Sequence, residues 1–233
     1  MTCASERFAT ARIRCLTGVA LLALITGANA PAQSVATINT GGGKTASTAS
    51  YETLIAKLKA GETSIDYREL RRGYAERKDA VGAGSDHLVR RTMNVALAEK
   101  RFQDVLKIAE GILSTVFISP DTHVALARAY AELGDAKKAA VHKAIYLGLI
   151  NSVLAEGNGE TPVTAYQVVT IEEAHAVMRA LNLSVWGRGT MVQDTKWYEV
   201  ISATDQKTGT IVKLHFNIDT PRSIQARNDV PKP

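Results

Sequence analysis

Five histidines, His87, His123, His142, His175 and His215, are the side chains of this 233-residue chain best suited to ligate a metal or move a proton near neutral pH. None stands in H-E-x-x-H or another close ligand spacing, so no metal site is written locally. One pair can still meet. If the chain folds back at Gly134, His123 lies eleven residues before the turn and His142 eight after it, which brings them within about one helical turn of each other. Two histidines lack the carboxylate and open position of a catalytic metal centre. Glu172 and Glu173 could serve as general acid and base, but adjacent helix residues point about 100° apart, and both carboxylates suit the positive end of a helix. The loop from Glu156 to Glu160 has the acidic and glycine content of a calcium loop without its alternating ligands, and reads as a connector. Gly41-Gly42-Gly43-Lys44-Thr45 lacks the first glycine of a phosphate-binding loop, since Ile38 stands there, and no strand precedes it. There is no G-x-S-x-G elbow. The sequence therefore marks no catalytic, cofactor-binding or metal-binding residue.

The elements that would position these residues are legible from periodicity. Tyr51, Leu54, Ile55 and Leu58 repeat at helical spacing up to Gly61, and Asp66 with Glu69 can cap a second helix carrying Tyr67, Leu70 and Tyr74. Arg77 to Ser85 reads as a loop. Lys100 to Val105 aligns with Gly134 to Ala139 at an offset of 34, setting Leu97 against Ala131, Val105 against Ala139 and Leu113 against Leu147. That is the period of the tetratricopeptide repeat, whose small residues, here Ala125, Ala129 and Ala139, let paired helices approach closely. Two degenerate copies leave an ordinary helical hairpin bundle as the alternative. Thr170 with Glu173 forms a capping box for a helix from Ile171 to Leu181. Tyr166 to Thr170, Val185 to Gln193, Trp197 to Ala203 and Thr210 to Ile218 are strand candidates, and Val212, Leu214, Phe216 and Ile218 alternate to give one apolar face. Trp186 and Trp197 could form an exposed binding surface, but aromatics flanking a half-buried sheet are expected to pack against its helix. The small C-terminal part is too thin to form a core alone, so the helix from Ala136 to Leu154 is expected to serve as a wall shared with the helical half.

The chain begins with Arg7, Arg12 and Arg14, an apolar run from Leu16 to Ile25, and small residues from Gly27 to Ala32, the layout of a secretory signal peptide. Ten apolar residues fall well short of the ~20 that cross a bilayer, so no stable membrane insertion is expected after cleavage. Ala28-Asn29-Ala30 and Ala30-Pro31-Ala32 both offer a cleavage site, and the second, which leaves Gln33 first, avoids a proline after the scissile bond. Both cysteines lie in the removed part, so disulfides and thiolate chemistry are excluded from the mature chain. Taking three arginines and one glutamate from 28 basic and 23 acidic residues leaves 25 and 22, a net charge of +3. No basic run interleaved with aromatics follows, which argues against a nucleic-acid partner. The organisation predicted is a signal peptide (1–32), a flexible leader (33–50), a helical repeat-like region (51–157), a small α/β cap (158–221) and a disordered tail (222–233). The fold class is α+β, with N-terminal tetratricopeptide-like hairpins packed against a small C-terminal antiparallel sheet with one helix.

A resemblance spans residues 51–219. Tyr51 with Leu54 and Leu58, Ile65-Asp66-Tyr67 with Leu70-Arg71 and Tyr74, and His123 through Leu133-Gly134 are similar to the domain-of-unknown-function family 4919, found in exported bacterial proteins. So are Gly148-Leu149, Gly157-Asn158-Gly159 with Thr161-Pro162 and Ala165-Tyr166, Glu172-Glu173, and Phe216-Asn217-Ile218-Asp219. This chain departs from it at Asn158, where an aspartate is common, and at His175, where a tyrosine is. The resemblance implies export and architecture but no activity. The function expected is a non-catalytic scaffold in the periplasm or outside the cell, holding a protein or peptide partner in the groove of its helices or on the face where they meet the sheet. The rival is an envelope hydrolase with a polar site at the helix/sheet junction, around His123, His142 and Glu173.

Overall fold

A computed structural model describes residues 43–81 and 87–229. The expected signal peptide, the expected leader as far as residue 42, part of the loop before His87 and the last four residues lie outside the described residues. Six helices come first: α1 (Gly43–Lys59), α2 (Tyr67–Glu76), α3 (His87–Ala98), α4 (Phe102–Thr115), α5 (Pro120–Glu132) and α6 (Ala136–Leu154). The rest is β1 (Tyr166–Gln167), α7 (Ile171–Ala180), β2 (Leu183–Gln193), β3 (Lys196–Asp205), β4 (Ile211–Asn217) and α8 (Asp219–Asn228). This is an α+β fold, and none of the described helices is long and apolar enough to cross a membrane.

Local signals account for most boundaries. Asp66, Ser119, Asp135 and Thr170 each cap the following helix by accepting a hydrogen bond from the backbone N–H three residues on. α4 and α6 begin after turns that repeat at an offset of 34. Lys100 and Gly134 both take positive φ, Arg101 N donates to Ala96 O as Asp135 N does to Tyr130 O, and Lys100 N donates to Leu97 O as Gly134 N does to Ala131 O. Packing does not repeat in the same way. Leu97 and Leu113 border the helical core, whereas their counterparts Ala131 and Leu147 are exposed, and Ala139 is half-buried rather than closed in a helix contact.

The reason lies in α6, which is the shared wall expected of it. Ile145 and Leu149 join Tyr51, Leu58, Leu70 and Tyr74 in the core of the first helices. On the neighbouring face of the same helix, Ile150 and Val153 join Val177, Met178, Ile201, Leu214 and Phe216 in the core beneath the sheet. Phe216 and Ile201 have no exposed surface, and each such burial contributes roughly 1.5–3 kcal/mol.

Four expectations are corrected. Residues 43–50, assigned to the flexible leader, form the first two turns of α1, because a helix nucleated by the buried run from Tyr51 to Leu58 extends cheaply into Ala- and Ser-containing sequence. The tail assigned to disorder forms α8 as far as Asn228. Its Pro221 sits in the first turn, where no intrahelical N–H is needed, and Ile224 is buried against the core of α1 and α2. Arg227 and Asn228 donate to the carbonyls of Ala75 and Ala80. The sheet thus has two accompanying helices. It is also mixed, in the order β1-β4-β3-β2, with β1 parallel to β4, since β1 runs directly into the α7 crossover. β2 and β3 join through Asp194-Thr195, both at positive φ, in a two-residue hairpin without glycine.

Candidate functional site

The α5–α6 hairpin brings His123 and His142 together as their spacing about Gly134 predicts: their Nδ1 atoms are 3.0 Å apart. His123 is fully buried, and its Nε2 lies 2.8 Å from the Phe117 carbonyl. A carbonyl only accepts, so His123 Nε2 carries the proton. Burial pushes the His123 pKa down to about 3, which leaves the ring neutral and Nδ1 an acceptor. His142 must then donate through its own Nδ1, and its Nε2 is a bare lone pair without a partner among the described residues. Burial, with the Lys138 ammonium, also lowers the His142 pKa. The His142 ring is stacked on Tyr130, centroids 5.5 Å apart and 5° from parallel, which fixes its plane.

His142 lies in the wall of a groove of about 980 Å³. Leu106 and Leu113 of α4, Leu126 of α5, and Val141 and Ile145 of α6 make it apolar, and Leu58 with Gly61 closes it at the end of α1. Lys59, Lys107, Lys137 and Lys138 also line it. Lys138 is bound to Asp135 at 3.1 Å and lies 5.1 Å from the Tyr130 ring centre. This groove joins an apolar bed, a cationic rim and one pre-oriented acceptor.

Glu173 is elsewhere. Its carboxylate receives Arg71 Nε at 2.8 Å and Nη2 at 3.1 Å, and the Val169 N–H at 2.7 Å. Arg71 is 2% and Glu173 1% exposed. Arg71 also donates to the Gln167 carbonyl and reaches Ser152 and Glu156, so one guanidinium ties α2 to α6, β1 and α7. Thr170 Oγ1 accepts from Glu173 N as the capping box requires, but the return bond goes to Val169 N. With both oxygens engaged and the side chain buried, Glu173 is not open to a substrate, and none of its contacts is with His123 or His142. Glu172 diverges from it, accepting from Ser119 Oγ at 2.6 Å and from Arg90 at 3.1 Å. Burial, with the Asp121 carboxylate, raises the Glu172 pKa to about 7. Asp121 is itself paired with Arg179.

The sequence model of the Domain of unknown function (DUF4919) family matches residues 38–227. The chain belongs to this family. No curated protein and no solved structure matches it. Two glycines of the DUF4919 pattern stand where a side chain would collide with a neighbour. A Cβ at Gly148 would sit 2.2 Å from the Tyr67 ring, so α6 needs glycine where α2 crosses it. Gly159, at φ +70°, turns its carbonyl onto His215 N and Nδ1, and a Cβ there would meet Tyr166 at 2.6 Å. The loop from Glu156 to Glu160 is thus a connector clasped to the sheet.

The remaining sites separate. Glu199 accepts from Arg188 at 2.9 Å and lies 3.7 Å from His175 Nε2, with its second oxygen unpartnered. Burial alone would raise the Glu199 pKa, but His175 and Arg188 outweigh it and hold it low. Trp197 lies under the Arg222 guanidinium at 3.7 Å, whereas Trp186 is 63% exposed at the bulge in β2 and is not packed against a helix. Among the described residues no three His, Cys, Asp or Glu side chains gather where a metal ion could be held. The lysine rim escaped sequence reasoning because its members are scattered over α1, α4 and α6. The Lys137-Lys138 pair at the start of α6 was its one local signal.

Proposed function

We propose that this protein is a non-catalytic scaffold of the bacterial envelope, exported by its signal peptide to the periplasm or the exterior, which holds a peptide or protein segment in the groove of α4, α5 and α6. The observation that carries this reading is the groove itself, with its apolar bed and a histidine acceptor whose tautomer is set by a buried carbonyl. The repeated turns at Lys100 and Gly134 support a tetratricopeptide-like origin for the hairpins, an architecture whose stacked pairs present concave surfaces. Glu173, bound on both oxygens to Arg71 and Val169, speaks against the hydrolase reading, and the modest net charge speaks against nucleic acid.

The test is crosslinking in the native envelope with the parent chain and with Gln103→Trp, which fills the groove from an exposed position on α4. A partner captured by the parent and lost from Gln103→Trp supports the reading. Equal capture by both places binding elsewhere. N-terminal sequencing of the exported chain is expected to begin at Gln33.

A further inference from the structure

We infer that the groove receives an extended acidic peptide segment, whose carboxylates meet Lys59, Lys107 and Lys137 and one of whose backbone N–H groups is donated to His142 Nε2. This rests on the groove being the binding site. The lysines come from three separate elements, α1, α4 and α6, yet border one cavity. Lys138 is neutralised by Asp135. Lys59, Lys107 and Lys137 have no ion-pair partner among the described residues, and of the two acidic residues in the lining only Glu110 is not already engaged in a salt bridge. Three unpaired ammonium groups around an apolar bed favour a ligand that alternates acidic and aliphatic side chains.

The histidine pair specifies the backbone. Neutral His142, with Nδ1–H given to His123, can only accept at Nε2, and an extended peptide offers N–H donors at every non-proline residue. No arginine lines the groove, and its Tyr130 ring is covered by His142, so neither the phosphate fork nor the free stacking platform that nucleic acid needs is present.

The experiment is fluorescence anisotropy of the mature chain with three labelled decapeptides that alternate Leu with Glu, Gln or Lys. The Glu peptide is expected to bind about tenfold or more tighter than the Gln peptide, with affinity falling as salt rises. Lys107→Glu with Lys137→Glu should shift preference toward the Lys peptide, and because both side chains are exposed the melting temperature should hold. Equal affinity for Glu and Gln peptides, unmoved by the charge reversal but lost in Gln103→Trp, would overturn the acidic ligand and leave the groove reading standing. Failure of all three peptides to bind would overturn both. Glu-peptide binding that survives Gln103→Trp would also overturn the inference. So would displacement of the Glu peptide by phosphatidylglycerol vesicles that sediment the parent chain but not the charge-reversed one, which would name a lipid surface as the occupant.

Discussion

Replacing Glu173 with Gln removes one charge from the centre of the helix/sheet junction and leaves Arg71 buried. The guanidinium would lose charge-assisted bonds of 2.8 and 3.1 Å. The nearest remaining carboxylate, Glu156, is 3.7 Å away and is shared with Arg68 at 3.0 Å. Stranding one member of a buried pair costs about 3–5 kcal/mol. At about 2–4 °C per kcal/mol for a chain of this size, the melting temperature should fall by roughly 6–20 °C. Arg71→Met should cost a similar amount, since it strands Glu173. The double variant Arg71→Met/Glu173→Gln removes both charges and leaves only neutral groups unpaired, chiefly the Gln167 carbonyl, since an amide oxygen at position 173 still accepts from Val169 N–H. It should therefore be more stable than additivity allows, with a coupling of about 1.5 kcal/mol or more. Urea melts of the four proteins measure the cycle. Costs that simply add, within about 0.5 kcal/mol, would refute the claim that this pair clamps the two halves.

Glu172, with its pKa raised from the carboxylate range to about 7, contributes stability below about pH 4.5 that is lost as pH rises through 7. Glu172→Gln should accordingly gain about 1–3 kcal/mol relative to the parent between pH 5 and pH 8 in paired melts, and a pH-independent difference would contradict this. Nitrogen-15 NMR at pH 7 should find a proton on His123 Nε2 and on His142 Nδ1, with His142 Nε2 bare; a proton on His142 Nε2 would contradict the tautomers assigned from the Phe117 carbonyl. Gly148→Ala, despite the better helix propensity of alanine, should lower stability by about 1–3 kcal/mol because its Cβ meets the Tyr67 ring. A stabilised Gly148→Ala would mean that Tyr67 swings away at little cost.

Short-range interactions are written in the chain itself. Asp66, Asp135 and Thr170 cap helices by bonding an N–H three residues away. The 34-residue offset reappears as paired positive-φ turns, and the alternation from Val212 to Ile218 sets which face of β4 joins the apolar core. The meeting of His123 with His142 belongs here too, because both distances are counted from a single turn. Tertiary structure alone decided what depends on partners far along the sequence. α8 is polar except for Pro221, Ile224 and Ala226, and it packs back through Ile224 onto a core made by α1 and α2. β1 is only two residues long and pairs with β4 about fifty residues later. Arg71 reads as a surface cation on a helix until Glu173, 102 residues on, is packed against it. The lysine rim likewise exists only once three helices converge. A capping or periodicity signal lies within about one helical turn, so neighbouring residues suffice to specify it. A buried ion pair or a groove depends on the packing of the whole chain, which no local window contains.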